Sequence, residues 1–253
     1  MAVFQKTETM AETEIFAVIV AGGKGARMES SLAKQYLDLA GMPVLSRTLQ
    51  VFTKYRAISK TVLVIPEQDR EFCIDKILKP HNLNTRVDLV SGGKDRQSSV
   101  LNGLMAVKAF TSSFKKNLAF KKNLVLIHDG VRPFADHLII ERCLKGAMEH
   151  GACIPAISVV DTLKKVDSCG FVINTMNRDN LYQAQTPQAF ELELILKAHE
   201  YAKEPLFSGT DDASLVEKMG NNVFITEGSK ENIKITTRGD LELAEIFAAR
   251  FNS

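Results

Sequence analysis

A glycine-rich stretch that carries several cationic side chains is the first part of this sequence with clear chemical potential. Glycines let backbone N–H groups approach an anion, and nearby cations offset the charge of several phosphates. The stretch directly follows an apolar run and therefore predicts a loop that binds a polyphosphate. Its residues are Ala21, Gly22, Gly23, Gly25, Arg27 and Lys34.

Two familiar phosphate-binding loops fit this stretch poorly. The dinucleotide fingerprint requires a third glycine where Met28 stands, and the Walker loop requires Gly-Lys followed by Ser or Thr, which occurs nowhere in the chain. A glycine turn beside a surface arginine is the simpler structural alternative. The tripeptide Lys34-Gln35-Tyr36 favours the binding loop over that alternative.

The glycine-rich stretch and a series of later motifs resemble the 2-C-methyl-D-erythritol 4-phosphate cytidylyltransferase family. The N-terminal signature is Ala21-Gly22-Gly23-x-Gly25-x-Arg27-Met28, followed by Lys34-Gln35-Tyr36. The order of the motifs, between Ile15 and Arg250, makes chance similarity improbable. The later motifs are Gly92-Gly93-x-x-Arg96-x-x-Ser99-Val100, His128-Asp129-x-x-Arg132-Pro133, Asp161-Thr162-x-Lys164, Arg178-x-x-Leu181, Gln185-Thr186-Pro187-Gln188, Thr210-Asp211-Asp212-Ala213-Ser214 and Asn232-Ile233-Lys234-Ile235-Thr236.

The resemblance implies a reaction in which a phosphate oxygen of the acceptor attacks the α-phosphorus of CTP and pyrophosphate leaves. Arg27 and Lys34 then stabilise the charge on the α-phosphate. The resemblance also implies a cytidine-recognition loop at Gly92 and Gly93, with Ser99 as a hydroxyl ligand or, alternatively, only a helix cap. The implied CTP-binding residues are Ala21, Gly22, Gly23, Gly25, Gly92, Gly93, Arg96 and Ser99.

The acceptor, by the same resemblance, is 2-C-methyl-D-erythritol 4-phosphate, and Arg178 and Lys234 hold its phosphate. Asp129 follows an apolar strand at the edge where open α/β sheets bind ligands, so it is the candidate neighbour of Mg²⁺ or another divalent cation. His128 is expected to be structural, because an anionic nucleophile needs no general base. The implied acceptor-binding residues are Asp129, Arg132, Thr162, Arg178, Thr186, Thr210 and Lys234.

A segment rich in β-branched and turn residues, Asp161 to Gln185, predicts a hairpin arm that projects from the sheet. The family resemblance implies that the enzyme is a homodimer and that the arm crosses the two-fold axis. Arg178 would then complete the active site of the partner subunit.

Short apolar runs alternate with segments of helical spacing, which predicts an α/β fold. We expect a Rossmann-like, mostly parallel sheet of the nucleotidyltransferase type in one domain, residues 15–253, after a disordered tail, residues 1–14. Ser98 or Ser99 is expected to cap one helix. The predicted strands are Ile15–Val20, Thr61–Ile65, Arg86–Val90, Leu124–His128, Ala152–Val159, Val223–Glu227 and Ile233–Ile235, and the predicted helices are Val44–Phe52, Arg70–Leu78, Ser98–Phe110, Glu191–Tyr201 and Asp240–Phe251.

Composition excludes several classes of protein. A net charge of +2 over 253 residues gives no overall field for nucleic acid or an anionic membrane, and no apolar run approaches the roughly 20 residues of a membrane helix. The run Lys115 to Lys122 is expected to be a solvated loop. Four widely spaced cysteines indicate reduced thiols and a cytoplasmic location.

Three other functions remain open on sequence alone. Ribitol 5-phosphate cytidylyltransferases share the fold and much of the glycine loop, although the motif from Thr210 to Glu217 is closer to the methylerythritol enzymes. A nucleotide-binding homologue without catalysis is a second possibility, since fold alone does not fix function. An NAD-dependent dehydrogenase is the third, and the absent third glycine argues against it.

Overall fold

A computed structural model describes residues 13–23, 32–114, 122–203 and 207–251 of the chain. Most of its strands belong to one sheet of eight strands, while two short pairs lie outside that sheet. Numbered along the chain, the strands are β1 (Thr13–Val20), β2 (Asp38–Leu39), β3 (Met42–Pro43), β4 (Ile58–Ile65), β5 (Val87–Ser91), β6 (Lys122–Asp129), β7 (Ala152–Ser158), β8 (Lys164–Val166), β9 (Val172–Thr175), β10 (Tyr182–Ala184), β11 (Gln188–Glu191) and β12 (Phe224–Glu227).

The sheet is mostly parallel, as the sequence predicts. Its hydrogen-bonded order is β10-β7-β11-β6-β1-β4-β5, and β12 also pairs with β7. The run β5-β4-β1-β6 is parallel throughout, whereas β10 and β11 are antiparallel to their neighbours. In the parallel run, therefore, all the carboxyl ends meet at one edge of the sheet.

Helices cover both faces of the sheet because successive residues of a strand point to opposite sides. Ile15, Ala17 and Ile19 of β1 pack into one buried cluster, while Phe16 and Val18 pack into another on the opposite face. The α-helices longer than one turn are α1 (Val44–Lys54), α2 (Arg96–Phe114), α3 (His137–His150), α4 (Leu192–Tyr201), α5 (Asp212–Lys218) and α6 (Arg238–Phe251). The predicted helix Arg70–Leu78 forms as a short α-helix, Arg70–Phe72, continued by a π-helix, Cys73–Leu78.

Helix α2 begins differently from the prediction that Ser98 or Ser99 caps it. The Asp95 carboxylate accepts from the Ser98 N–H at 2.7 Å, and the Ser98 hydroxyl accepts from the Asp95 N–H at 3.2 Å. This reciprocal arrangement is a capping box, so Asp95 is the cap and Ser98 completes it. Ser99 is left with a different role.

Other predicted boundaries also shift. Strand β1 begins at Thr13, so Thr13 and Glu14 belong to the sheet and not to the expected tail; the remainder of that tail lies outside the described residues. The predicted strand Ile233–Ile235 is irregular, since the Ile235 N–H bonds the Val131 carbonyl without forming a ladder. Helix α5 was not predicted. The lysine-rich run lies outside the described residues except at Lys122, which begins β6.

The predicted arm is present, but it is shorter than expected. Strands β8 and β9 pair only with each other, and residues 160–184 are exposed apart from half-buried Leu181. The last part of the segment, β10, returns to the main sheet and pairs with β7, where Tyr182 lies opposite Ser158. The projecting part therefore ends before β10.

All four cysteines are free, and three of them, Cys73, Cys143 and Cys153, are buried. Within the described ranges, none of the helices combines the length and the apolar character that crossing a bilayer requires.

Candidate active site

The candidate site lies where β1 and β6 end side by side. Val20, the last residue of β1, is the register partner of Asp129, the last residue of β6. The chain leaves these two neighbouring strands in opposite directions, since β1 is followed by β4 on one side and β6 is followed by β7, beyond β11, on the other, which makes this a topological switch point. Gly130 is required here, because an added Cβ would lie 2.9 Å from the Ala21 Cβ.

Asp129 is the centre of a cluster of charged side chains. Its carboxylate lies 2.8 Å from Lys234 Nζ, 3.4 Å from Arg96 Nε and 3.7 Å from Arg132 Nε. Asp129 itself is buried. Burial opposes ionisation of this carboxyl, but Arg96 and Lys234 outweigh that cost and hold the pKa of Asp129 well below its usual range. Asp129 is therefore an ionised carboxylate that pairs with three cationic side chains at the switch point.

Arg96 joins this cluster to a second buried acid. Its Nη2 lies 2.8 Å from Asp212 Oδ2 while its Nε faces Asp129. Burial alone would lower the pKa of Arg96, yet the two carboxylates more than offset it and raise that pKa. Arg96 thus stays charged beside the site.

His128 is buried and makes only structural hydrogen bonds. The Thr186 hydroxyl accepts from the Asp129 N–H at 3.1 Å and lies 3.0 Å from His128 Nδ1, so its own proton points to that nitrogen. His128 Nε2 then donates to the Arg132 carbonyl at 3.0 Å. Burial lowers the pKa of His128 to about 4, which matches this neutral tautomer. His128 and Thr186 together fix the backbone that presents Asp129.

A buried amide network positions the segment that carries Lys234. The Asn232 side-chain amide donates to the Thr186 carbonyl at 2.9 Å, and the Asn232 backbone carbonyl accepts from Arg132 Nη1 at 2.6 Å. Gln185 donates to the Ser229 carbonyl at 2.7 Å. Sequence analysis quoted Gln185 and Asn232 as members of motifs but assigned them no role, and the structure shows that they hold Lys234 and Arg132 in place.

The Gly92 to Ser99 segment forms a second part of the same edge. The Gly93 N–H donates to the Ser99 hydroxyl at 3.0 Å, and that hydroxyl donates to the Asp95 carbonyl at 2.8 Å. A Cβ added at Gly92 would lie 3.2 Å from Ser99 Oγ, and one added at Gly22 would lie 4.0 Å from it. Ser99 therefore bonds one of the two glycine segments expected to bind CTP and lies close to the other.

Only part of the N-terminal loop can be placed. Gly25 and Arg27 lie outside the described residues. Ala21 is buried, Gly22 and Gly23 are exposed, and Lys34 is half-buried at the start of a 3-10 turn. Buried Gln35 donates to the Ala21 carbonyl at 2.9 Å, which ties the Lys34 turn to the end of β1.

Three predicted acceptor residues are exposed in this chain. Thr162 and Arg178 are exposed in the arm, where Arg178 Nη1 donates to the Val160 carbonyl. Thr210 is exposed immediately before α5. The structure does bring together Arg96, Asp129, Arg132, Thr186 and Lys234. It adds Asp212, to which the sequence analysis gave no role.

The donor groups do not build a metal cage from protein alone. Within the described residues, no three His, Cys, Asp or Glu side chains lie close enough together to hold a metal ion. Both Asp129 oxygens face cations. Asp129 therefore serves as the counterion of these cations, and its expected place beside a divalent cation stays a prediction.

Comparisons with known proteins agree with the motifs. The family model of 2-C-methyl-D-erythritol 4-phosphate cytidylyltransferase (IspD) matches residues 15–250. The protein of that name from Syntrophus aciditrophicus is 43% identical over 92% of this chain and 95% of its own, and that from Geobacter metallireducens is 42% identical over 92% and 97%.

A solved structure has the same fold. The 4-diphosphocytidyl-2C-methyl-D-erythritol synthase of Anaerococcus prevotii superposes with a TM-score of 0.78 at 32% identity, covering 96% of this chain and 99% of that one. The family match favours the methylerythritol enzymes over the ribitol enzymes and the dehydrogenases considered above. The chain belongs to the 2-C-methyl-D-erythritol 4-phosphate cytidylyltransferase family.

Proposed function

We propose that this protein transfers CMP from CTP to 2-C-methyl-D-erythritol 4-phosphate, releasing pyrophosphate, as a step in the synthesis of isoprenoid precursors. The observation that carries the proposal is the convergence of Arg96, Arg132 and Lys234 on Asp129 at the switch point. Such a cluster suits two phosphorylated substrates that must approach each other. Relatives of more than 40% identity carry this activity in their names.

Catalysis is positioning and charge stabilisation in this proposal. The attacking group is a phosphate oxygen, which is already anionic, so no base is required and neutral His128 takes no part in the chemistry. Arg27 and Lys34 stabilise the α-phosphate as charge develops, while the Gly92 to Ser99 segment binds the cytidine. Lys234 and Arg132, ordered by Asp129, receive the phosphate of the acceptor.

We further propose that Mg²⁺ or another divalent cation enters with CTP. Mg²⁺ prefers phosphate and water oxygens with few carboxylates, which suits a site whose acidic residue already has three cationic partners. When bound, the cation would neutralise charge on the triphosphate and the departing pyrophosphate.

The exposed arm supports a proposed homodimer. Phe171 is 73% exposed, and Val160, Val172 and Ile173 are each about 60% exposed, on a segment that projects from the sheet. Contiguous exposed apolar side chains of this kind mark a protein contact. We propose that the arm reaches a second copy of the chain and places Arg178 and Thr162 at its acceptor site.

We also propose a cytoplasmic location, which the free thiols of the four cysteines support.

An assay of pyrophosphate release tests the proposed reaction. Pyrophosphate should appear only when CTP, Mg²⁺ and 2-C-methyl-D-erythritol 4-phosphate are all present, and ATP, GTP or UTP should substitute poorly. Parallel reactions with ribitol 5-phosphate provide the matched comparison. Faster turnover with ribitol 5-phosphate would refute the proposed acceptor.

A further inference from the structure

A buried histidine outside the Asp129 cluster has an unusual environment. His199, on α4, is 1% exposed, and its Nε2 lies 3.5 Å from Asp212 Oδ1. That distance exceeds a good hydrogen bond. Neither ring nitrogen makes a hydrogen bond within the described part of the chain. Burying an imidazole in this way is unfavourable, so simple packing would be served better by leucine.

The backbone that carries Asp212 is fixed independently of His199. Asp211 caps α5 through a capping box with Ser214. Gln188 of β11 donates to the Asp211 carboxylate at 2.8 Å and accepts from the Ala213 N–H at 3.1 Å. These bonds secure the first turn of α5 against the sheet. What remains for His199 to determine is the direction of the Asp212 carboxylate.

The direction of that carboxylate matters because its other oxygen holds Arg96. Asp212 Oδ2 lies 2.8 Å from Arg96 Nη2, and Arg96 Nε faces Asp129 at 3.4 Å. Opposite charges therefore alternate from Asp212 through Arg96 to Asp129 and Lys234. Without a group facing Oδ1, the Asp212 carboxylate can rotate, and Arg96 can move with it.

We propose that His199 is a positioning residue, which orients the Asp212 carboxylate and thereby holds Arg96 in the geometry required for CTP. The inference rests on the proposed function in one respect, the placement of Arg96 among the CTP contacts. His199 itself touches neither substrate. It acts on the site only through the buried carboxylate of Asp212.

Three substitutions of His199 test this role in the full-length enzyme. His199→Leu and His199→Phe remove the ring nitrogens while filling the space, whereas His199→Gln keeps an amide N–H that can face Asp212. We expect Leu and Phe to raise the KM for CTP by roughly 10-fold, as for a displaced charged contact, with a smaller change in the KM for the acceptor. The KM for CTP of the Gln variant should stay within about threefold of the wild-type value.

A double mutant and a packing control isolate the path through Arg96. If His199 acts through Arg96, His199→Leu should add little to the defect of Arg96→Ala. Ile195→Ala, one turn earlier on the same helix and fully buried, destabilises α4 without removing the partner of Asp212. Its KM for CTP should remain near the wild-type value. Thermal unfolding checks the folding of each variant, and the Phe variant serves if the Leu variant does not fold.

Several results would overturn the inference. Equal defects in the Gln and Leu variants, an equal defect in Ile195→Ala, or full additivity with Arg96→Ala would each leave His199 as a packing residue only. If neither apolar variant folds, a wild-type KM for CTP in Asp212→Asn overturns it as well, and a raised value supports it. Inactivity of the wild type would instead refute the proposed function, and an unaffected Arg96→Ala would refute the placement of Arg96.

Discussion

Lys34 is the described cation closest in sequence to the glycine loop, and the reaction proposed here makes it a donor to the transition state. Lys34→Ala should lower kcat by on the order of 10², because a donor aimed at developing charge contributes most when that charge appears. The KM for CTP should change less. Steady-state kinetics in both substrates provide the measurement.

Lys60→Ala is the matched control for loss of one positive charge. Lys60 lies on β4, pairs with Asp88 at 2.9 Å, and stands toward the amino end of the strand, away from the candidate site. Its kcat should equal that of the wild type. A Lys34 variant that loses only affinity for CTP would show that Lys34 binds the ground state alone.

His128 makes a testable contribution to the pH dependence of stability. Burial lowers its pKa from 6.5 to about 4, so between these values the unfolded chain binds a proton that the folded chain does not. The stabilisation is present above about pH 6.5 and is lost as the pH falls toward 4. From the two pKa values, the loss between pH 7 and pH 4.5 is roughly 2 kcal/mol.

Urea unfolding of wild type and His128→Gln at both pH values measures this contribution. On acidification, the free energy of unfolding of the variant should fall by about 2 kcal/mol less than that of the wild type, because glutamine does not titrate. The other titrating groups are the same in both proteins. Their contribution therefore cancels when the loss of stability in the variant is subtracted from the loss in the wild type. Identical losses would mean that His128 has the same pKa in the folded and the unfolded chain, which would contradict the lowering by burial.

At the scale of elements, the contact between α2 and the sheet depends on Gly103. A Cβ at this position would meet Val18 Cγ1 at 2.5 Å and Val64 Cγ2 at 2.9 Å, both in the buried core. Gly103→Ala should therefore lower stability by about 1–2 kcal/mol, although alanine favours a helix, because overpacking a rigid core costs more. Ser112→Ala, exposed on the same helix, should change stability by less than about 0.5 kcal/mol. Equal stability of Gly103→Ala and wild type would show that α2 can move away from the sheet.

The parallel strands could be predicted from sequence because each is a short β-branched run that is buried on both faces. Helix α5 could not, since seven residues are too few for a clear period and its first turn is fixed by Gln188 on a distant strand. The motifs were sufficient to predict Arg96, Asp129 and Lys234 as residues of the candidate site. The pairing of Arg96 with Asp212 depends on how α2 and α5 pack, which no local pattern contains.

At the scale of the whole molecule, the proposed exchange of arms makes each active site a product of two chains. Arg27→Ala and Arg178→Ala should each inactivate the enzyme, but a mixture of the two should regain activity. In a mixed dimer one site carries both substitutions and the other carries neither. With random pairing, recovery should approach about a quarter of the wild-type activity, given two-fold symmetry.

The control for this complementation is subunit exchange itself, followed by native mass spectrometry of differently labelled chains. Exchange without recovered activity would show that Arg178 serves the site of its own chain. A mixture of two Arg27→Ala preparations should remain inactive throughout.

The transfer of the α-phosphate is the central claim, and isotope tracing in the complete reaction measures it. With CTP labelled at the α-phosphate, the label should appear in a product that also contains the methylerythritol phosphate, whereas label from the γ-phosphate should appear only in pyrophosphate. Recovery of γ-label in the sugar product, or of α-label only in free CMP, would contradict the proposed cytidylyl transfer.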